Sequence, residues 1–585
     1  MKKSLILLLV AVLFISKTAS SCTNFLVSKG ASADGSTIVT YAADSHQLYG
    51  SLYYWAARDW TPGTLLDVYE WDTGKYLGKI DQISHTYQVT GNINEHQLVI
   101  GETTYGGLEV LGSQTGAIVD YGSLIYITLQ RAKNAREAIK TMAELVEKYG
   151  YASSGESFSI ADGNEVWIMD LIGKGDFKTK DGKNEKGAVW VALRIPEGYV
   201  AAHANHARIT TFPFQKKNKF DDPNANCFHS SDVISFAINN KLYEGPAEKF
   251  SFSDVYAPVE FSAARFAELR VWAFFNKVSS EFRNNKNNWE YATGNIKHAV
   301  TYKEGPMKPE NFPTHRMPLW VKVDQKLDVH SIMNYMRDHL EGTELDMAKD
   351  AGAEPFGLPY RWRPLTWKVD DKNYLNERVT ATQQTGFSFV AQSRSWLPAP
   401  IGGLFWFGVD DAASTVYTPI YCGINKIPVE FAENNGSMIA WSDNSAFWIF
   451  NMVTNWAYTR YNVIHPEIHN YQQQLEAGYI KQVKDIDEKA KTLYAENKDK
   501  AIQYVTDYSV STASKLVADW KQFFQYLFMK YMDGNVKDAA DMKLKDSGTN
   551  KGIPNVKYPG YSEEWKRNVI NKTGDKLLIP GNNAH

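Results

Sequence analysis

The sequence predicts an α+β fold in which two packed β-sheets lie between layers of helices. Short runs typical of strands, separated by turn residues, recur through the N-terminal third of the chain. A helical pattern interrupts them, and two long helical patterns follow towards the C-terminus. Strands followed by helices that cover them are typical of sheets packed between helical layers.

The strand prediction rests on three pairs of segments, each with a turn sequence between its members. The pairs are residues 23–29 with 36–42, 157–161 with 166–171, and 188–195 with 199–203. The turns contain Asp34-Gly35, Asp162-Gly163-Asn164 and Pro196-Glu197-Gly198. We therefore expect three hairpins.

The helix prediction rests on apolar spacing. Residues 135–149 place Ala138, Met142, Leu145 and Val146 on one face. From residue 461 the composition shifts to Lys, Glu, Gln, Ala and Tyr, and residues 468–491 and 497–532 are expected to form long helices packed on the core. Residues 539–585 contain scattered Gly and Pro and are expected to be irregular.

The composition narrows the possible functions. The chain has 585 residues and a formal net charge of −3, which gives no global electrostatic basis for binding nucleic acid. Its three cysteines are too few for a disulfide-stapled scaffold or a four-cysteine metal site. Cys227 and Cys422 could be separate buried thiols or a disulfide, and their spacing does not decide between the two.

Residues 1–21 have the pattern of an export signal. Two lysines precede an unbroken apolar run over residues 5–15, which is too short to cross a bilayer as a helix. The small residues Ala19 and Ser21 stand where signal peptidase accepts small side chains before a new N-terminus. We therefore expect residues 1–21 to be removed and the protein to be periplasmic or secreted, without a stable membrane span.

Removal of this segment would make Cys22 the N-terminal residue, which has two interpretations. In one, Cys22 is lipidated and anchors a glycan-binding surface protein. In the other, Cys22 is a nucleophile whose own α-amine is the base. A lipid-anchor signal usually has a large aliphatic residue where this chain has Ala19, and a polar tether usually follows the cysteine. Here residues 23–28 have a strand pattern instead, which favours catalysis.

The catalytic interpretation is chemically coherent. A cysteine is mostly protonated near neutral pH, and its thiolate is the nucleophile. An α-amine with a pKa of about 7.7–8 can accept that proton. If the first hairpin pairs around Asp34-Gly35, facing residue numbers sum to roughly 66, so that Cys22 faces about Asp44. A carboxylate there could orient or stabilise the terminal amine.

Several segments then resemble one known family, the C69 dipeptidases. These are N-terminal-nucleophile (Ntn) hydrolases related to bile salt hydrolases and penicillin V acylases. The resemblance begins with Cys-Thr-Asn-Phe-Leu-Val at residues 22–27, Ala-Asp-Gly-Ser at 33–36 and Asp44. It continues with Asn-Glu-His-Gln-Leu-Val-Ile-Gly-Glu at 94–102, His-Ala-Asn-His-Ala-Arg at 203–208 and Arg-Asp-His-Leu-Glu-Gly-Thr at 337–343. Phe-Val-Ala-Gln at 389–392 and Leu-Phe-Trp-Phe-Gly at 404–408 complete it.

The resemblance implies roles for four residues. Cys22 matches the nucleophile, and Asp44 matches the aspartate that contacts the terminal amine. Asn205 matches the asparagine whose side-chain amide helps to form the oxyanion hole. Arg265 matches an arginine near the nucleophile in the bile salt hydrolase branch.

The chain departs from the family pattern at two places. Tyr41 stands where the family often has an arginine, so an arginine role there is lost or supplied elsewhere. The second oxyanion asparagine of the amidase branch falls near Thr103 or Thr104. This departure argues against a bile salt or penicillin substrate, leaves the second oxyanion donor open, and makes both threonines candidates for substrate binding.

The resemblance implies an αββα Ntn-hydrolase sandwich that acts on small peptides, with no cofactor and no metal. The expected organisation is a signal peptide at residues 1–21, a catalytic domain with insertions at 22–460, and a helical region packed on it at 461–585. The preferred dipeptide and the oligomeric state stay open.

Overall fold

Two large antiparallel sheets dominate the computed structural model, which describes residues 22–179, 181–296, 305–538 and 554–581. The predicted signal segment, residues 1–21, lies outside the described residues. The seven-stranded sheet contains, from edge to edge, Trp320–Lys322, Tyr199–His203, Asn24–Val27, Thr37–Asp44, Thr385–Ser393, Gly403–Val409 and Thr418–Tyr421. The eight-stranded sheet contains Cys227–His229, Ala188–Arg194, Val166–Gly173, Gly155–Ala161, Val99–Gly106, Ile93–Asn94, Val89–Thr90 and Tyr54–Trp55.

The remaining elements are short hairpins and helices. The hairpins pair Arg58–Asp59 with His85–Thr86, Leu65–Tyr69 with Tyr76–Asp81, Thr366–Val369 with Lys372–Leu375, and Val536–Lys537 with Val556–Lys557. The α-helices are Tyr121–Leu129, Ala135–Tyr149, Val233–Asn239, Phe252–Tyr256, Phe261–Ala263, Leu269–Val278, Ser280–Arg283, Lys286–Ala292, Val329–Tyr335, Ala399–Gly402, Ala446–Tyr458, Tyr461–Glu496, Lys498–Tyr531 and Glu563–Thr573.

Five strands and their pairing determine where the candidate site lies. We name them β1 (Asn24–Val27), β2 (Thr37–Asp44), β3 (Val99–Gly106), β4 (Gly155–Ala161) and β5 (Tyr199–His203). In the seven-stranded sheet, β1 lies between β2 and β5; in the eight-stranded sheet, β3 pairs with β4. The two sheets contact each other through β1 and β2 on one side and β3 and β4 on the other, so their facing residues are buried.

Two of the three expected hairpins are confirmed, and the third is wrong. β1 pairs with β2, and β4 pairs with the strand Val166–Gly173. The strands Ala188–Arg194 and Tyr199–His203 do not pair, because the turn between them carries the chain from the eight-stranded to the seven-stranded sheet. Both strands are largely buried, so a crossing between packed sheets leaves the same sequence pattern as a hairpin.

The helix at Ala135–Tyr149 has the predicted bounds, and its predicted apolar face is buried. The long C-terminal helices are also present, and the first starts earlier than expected, at Tyr461. It continues through Pro466 because Ile464 and Ile468 are both buried against the core on either side of it.

The C-terminal segment differs from its prediction. Residues 539–585 were expected to be irregular, but a helix spans Glu563–Thr573 within them. The Ser562 side chain accepts a hydrogen bond from the Trp565 amide and so caps this helix. Residues 539–553 and 582–585 of that prediction lie outside the described residues. Within the described ranges, no helix combines the length and apolar character that crossing a membrane requires.

Candidate active site

Cys22 lies two residues before β1, in the layer between the two sheets. Its side chain is fully buried. The pairing of β1 with β5 matches Asn24 with His203 and Phe25 with Ala202, and continuing this register by two residues sets Cys22 opposite Asn205. Two residues that lie far apart in the sequence are therefore brought together by ordinary strand pairing.

Asp44 is the last residue of β2. It lies one position beyond the residue that faces Cys22, whereas the sequence predicted that Asp44 itself would face it. A bridge pairs Thr23 with Ala42, so facing numbers sum to 65 and Cys22 falls opposite Ala43, next to Asp44. The buried Asp44 carboxylate forms an ion pair with Arg378 and accepts a hydrogen bond of 2.6 Å from the Thr385 hydroxyl. Burial raises the pKa of Asp44, against the opposing influence of Arg378 and Thr385.

Arg270 connects Cys22 with Asn205. Its Nη1 donates to the Cys22 carbonyl oxygen at 2.6 Å and to the Thr23 hydroxyl at 2.7 Å. Its Nη2 donates to the Asn205 Oδ1 at 2.8 Å. Burial and the nearby Arg378 guanidinium lower the pKa of Arg270 well below its usual range.

The position of Arg270 follows from packing. It lies in the first turn of the helix Leu269–Val278, directly after a π-helical turn, Ala264–Glu268. The Phe274 ring of that helix stacks on the Phe25 ring of β1 with centroids 4.1 Å apart. This contact holds the helix against β1 and so brings the Arg270 guanidinium to Cys22.

Asn205 is fixed in orientation. Because Arg270 donates to its Oδ1, the amide nitrogen points the other way, where it donates to the Thr104 carbonyl oxygen at 2.7 Å. Asn205 has a φ of +66°, in the left-handed region that asparagine tolerates better than most residues. It is half-buried, so it lies at the outer edge of the site.

A buried ionic cluster anchors the loop that carries Asn205. Glu268 accepts hydrogen bonds from His206 at 2.8 Å and from Arg208 at 3.2 Å. Burial alone would raise the pKa of Glu268, but Arg208 and His206 outweigh it and lower the pKa to about 2. Because Glu268 directly precedes the helix of Arg270, this cluster joins the loop to that helix.

Two carboxyl groups lie on the other side of the Cys22 thiol. The Cys22 Sγ lies 3.6 Å from the Tyr41 hydroxyl and 3.8 Å from Glu102 Oε1. Tyr41 donates a hydrogen bond of 2.5 Å to Glu102. Glu156 lies beside Glu102 and accepts a hydrogen bond of 2.7 Å from the Thr104 hydroxyl. Burial raises the pKa of Glu102 to about 7, and burial together with the neighbouring Glu102 raises that of Glu156 well above its usual value.

Comparison with known proteins places this chain in a family. The model of peptidase family C69 matches residues 63–474. The chain belongs to this family. Similar proteins include a probable dipeptidase of Latilactobacillus sakei, which is 22% identical over 88% of this chain and 98% of its own length. A probable dipeptidase of Salmonella dublin is 23% identical over 69% of this chain and 81% of its own length.

This C69 peptidase matches the family model over a stretch that includes Asn205, Arg270 and the two glutamates, while Cys22 and Asp44 precede the stretch. The Arg-Asp-His segment at residues 337–343 has a structural role and connects neighbouring elements. Arg337 donates to Glu476 at 2.6 Å, and His339 bonds to both Glu341 and Tyr360 at 2.8 Å. The segment thereby ties the long helix Tyr461–Glu496 to the sheet region.

The remaining predicted site residues have other surroundings. Arg265 forms an ion pair with Glu377 and also donates to the Thr293 carbonyl oxygen at 3.3 Å. Thr103 is buried, and its hydroxyl lies 2.7 Å from His203 Nδ1. Thr104 is half-buried and contacts Glu156 and Asn205, so of the two threonines it lies nearer the outer edge of the site.

Sequence reasoning missed Arg270, Tyr41 as a contact of the thiol, and the Glu102–Glu156 pair. Glu102 is the last residue of the segment at 94–102 that resembles the family, and this resemblance was the signal that could have pointed to Glu102 as a site residue. Arg270 lies five residues after Arg265 in a region with a helical pattern, so sequence spacing alone did not distinguish them. The other two cysteines are free and buried, and burial raises the pKa of both Cys227 and Cys422 to about 12.

Proposed function

We propose that this protein is an exported cysteine dipeptidase in which Cys22, as the N-terminal residue of the mature chain, is the nucleophile. One observation carries the proposal: the buried residues Cys22 and Arg270 and the half-buried Asn205 form one connected unit at the junction of the two sheets. A nucleophile needs fixed geometry, and here its main chain is held by a guanidinium that also orients a candidate oxyanion donor. The curated relatives named probable dipeptidases support the substrate class.

The proposed reaction begins with the Cys22 thiol. The α-amine of Cys22 takes the thiol proton, and the thiolate attacks the scissile carbonyl carbon. The oxyanion receives hydrogen bonds from the Asn205 amide nitrogen and from backbone N–H groups. The tetrahedral intermediate collapses to a thioester as the amine returns the proton to the leaving amino group. Water, deprotonated by the same amine, then hydrolyses the thioester and frees the first amino acid.

The layer arrangement supports the proposal that the fold is an αββα Ntn-hydrolase sandwich. The helices Tyr121–Leu129 and Ala135–Tyr149 contact the eight-stranded sheet. The helices Leu269–Val278 and Lys498–Tyr531 contact the seven-stranded sheet. In such an arrangement a residue at the start of an inner strand is reachable only from the sheet ends. Export rests on the pattern of residues 1–21 alone.

Replacing the nucleophile tests the proposal. Cys22→Ala should abolish hydrolysis of a panel of dipeptides, and Cys22→Ser should leave a trace at most, since a hydroxyl is much harder to deprotonate. Cys227→Ala is the matched control, because it removes another buried thiol and should leave activity near the wild-type value. Dipeptide turnover by Cys22→Ala at the wild-type rate would overturn the proposal.

A second variant tests the base. One residue added between Ser21 and Cys22, in a form that is not processed, keeps the thiol but converts the α-amine into an amide, which is not basic. We expect this protein to be folded and inactive. Normal turnover by the extended protein would show that another group is the base.

A further inference from the structure

The Glu102–Glu156 pair follows directly from strand register. β3 and β4 pair antiparallel, with Thr104 opposite Glu156 and Glu102 opposite Phe158. Glu102 and Thr104 are two residues apart and so point to the same face, which makes Glu102 and Glu156 diagonal neighbours on that face. This face is opposite the one that packs on β1 and β5, where Thr103 contacts His203 and Ser159 contacts Asn24. The Glu102 carboxyl group nevertheless reaches the Cys22 thiol, with its Oε1 3.8 Å from the sulfur.

The pair lacks a counter-ion among the described residues. Glu102 and Glu156 are both almost completely buried. Their hydrogen-bond partners in that part of the chain are the neutral side chains of Tyr41, Thr104 and Cys22, and each other. The second carboxyl oxygen of each receives no hydrogen bond from any other residue there. The nearby Asp72 carboxylate, which accepts a hydrogen bond from Tyr121, also raises the pKa of both glutamates.

Such a pair needs a positive charge or a proton. Two carboxylates side by side in a buried place cannot both stay ionised without a counter-ion, so they share a proton. A ligand cation can take the place of that proton, because it neutralises the charge and donates hydrogen bonds to the unpartnered oxygens. An ammonium group has three donors and fits both carboxyl groups at once.

The short distance between the glutamate pair and the Cys22 sulfur limits which ligand cation the pair can bind. In an amino-terminal residue, the α-nitrogen lies about 2.5 Å from the carbonyl carbon. The attacking atom stands roughly 3–3.5 Å from that carbon before reaction, and a charged N–H···O hydrogen bond spans about 2.8 Å. An acceptor for the amine must therefore lie within roughly 9 Å of the sulfur. Glu102 Oε1 lies at 3.8 Å.

We propose that the Glu102–Glu156 pair binds the free α-ammonium group of the residue whose carbonyl Cys22 attacks. This rests on the proposed dipeptidase function and adds its amino-terminal specificity. A peptide bond further along a chain would present a neutral amide to the pair and leave its charge uncompensated. Bound ammonium also puts a positive charge beside the sulfur, where it stabilises the thiolate.

Matched substrates and matched variants test this inference. We would measure kcat and KM for a free dipeptide and for the same dipeptide with an acetylated amine, with a chelator present to keep metal ions off the pair. The wild-type protein should prefer the free dipeptide by at least 100-fold in kcat/KM. Glu156→Gln and Glu102→Gln should each lower kcat/KM for the free dipeptide by about 30-fold or more. Both should lower it by a much smaller factor for the acetylated one, so that the preference for the free amine narrows at least tenfold.

The ratio of the two substrates separates recognition from structure. A structural defect, or a role of Glu102 as a base, would lower kcat/KM for both substrates by the same factor, and that result would overturn the inference. Glu467→Gln is the control, since it removes a carboxylate that is bound by Tyr526, Tyr531 and Lys530 away from the site and should keep the ratio unchanged. Both glutamine substitutions are isosteric, and if one variant does not fold, the other carries the test.

The same measurements distinguish this inference from the proposed function. If the wild-type protein hydrolyses neither substrate, the dipeptidase function fails and the inference fails with it. If it hydrolyses the free and acetylated dipeptides equally well, the function stands and only the ammonium site is overturned.

Discussion

The two sides of Cys22 differ in how they hold buried carboxyl groups. On the seven-stranded sheet, Asp44 has a guanidinium partner in Arg378 and a hydroxyl partner in Thr385. On the eight-stranded sheet, Glu102 and Glu156 have neutral partners and, within the described residues, an unpartnered oxygen each. A carboxylate with an ion-pair partner stabilises the fold, whereas two neighbouring carboxyl groups without a counter-ion can bind a cationic ligand. The site thus has one side that fixes geometry and one side that can receive charge.

The largest expected effect is on the paired side. Asp44→Asn removes the carboxylate to which Arg378 donates and should lower the free energy of unfolding by about 3–5 kcal/mol, as breaking a buried ion pair does. Glu156→Gln should not destabilise the protein at neutral pH. Chemical denaturation of both variants at pH 7 checks the contrast. Equal losses in the two variants would mean that the two sides do not differ.

Asn205→Ala should lower kcat by roughly 10²–10³-fold with a smaller change in KM, since an oxyanion donor acts mainly in the transition state. Asn205→Asp should be at least as harmful, because it sets a negative charge against the developing oxyanion. The melting temperature and the active-site-titrated kcat are measured on one preparation. If only stability falls, Asn205 supports the loop through Thr104 and Arg270 and is not a donor.

The unpaired side should make stability depend on pH. Because burial raises the pKa of Glu102 to about 7 and that of Glu156 further, the folded protein holds protons that the unfolded chain releases near pH 4.5. The free energy of unfolding should therefore fall as pH rises from about 4.5 through 7 and above. Glu156→Gln should raise the melting temperature relative to wild type at pH 8 and leave it unchanged at pH 4. The same difference at both pH values would argue against shared protonation of the pair.

The smallest effect is expected at Arg265. Its guanidinium pairs with Glu377, and Arg265→Gln should change kcat only a few-fold and stability by about 1 kcal/mol or less. Arg270→Lys should reduce kcat far more, because a single ammonium cannot reach both the Cys22 carbonyl and Asn205. Steady-state kinetics on both variants decides which arginine serves the site.

Much of the fold could be predicted from the sequence because the signals are local. The helix Ala135–Tyr149 has its cap at Asn134 and its stop at Gly150, and both are visible in the sequence. The crossing between Ala188–Arg194 and Tyr199–His203 could not be predicted, because turn residues look the same whether the next strand joins the same sheet or the opposite one. Pairing across sheets is a tertiary property.

The candidate site divides in the same way. Cys22, Asp44 and Asn205 could be proposed as site residues because a predicted cleavage position, a hairpin register and family-like segments lie in the sequence itself. Arg270 and the glutamate pair were not found, because their roles depend on the packing of Phe274 on Phe25 and on the register of β3 with β4. This chain has Tyr41 where the family pattern often has an arginine, and in space Arg270 contacts Cys22 and Arg378 pairs with Asp44.

The most direct test of the proposed function is the chemical state of Cys22 in the protein isolated from cells. Intact-mass and N-terminal analysis would be combined with alkylation by one equivalent of a thiol reagent, and dipeptide turnover would be followed on the same sample. The account predicts a chain that begins at Cys22 with a free amine, is alkylated there, and loses activity in proportion to alkylation. A diacylglyceryl group on Cys22, or full turnover by a chain that retains residues before it, would contradict it.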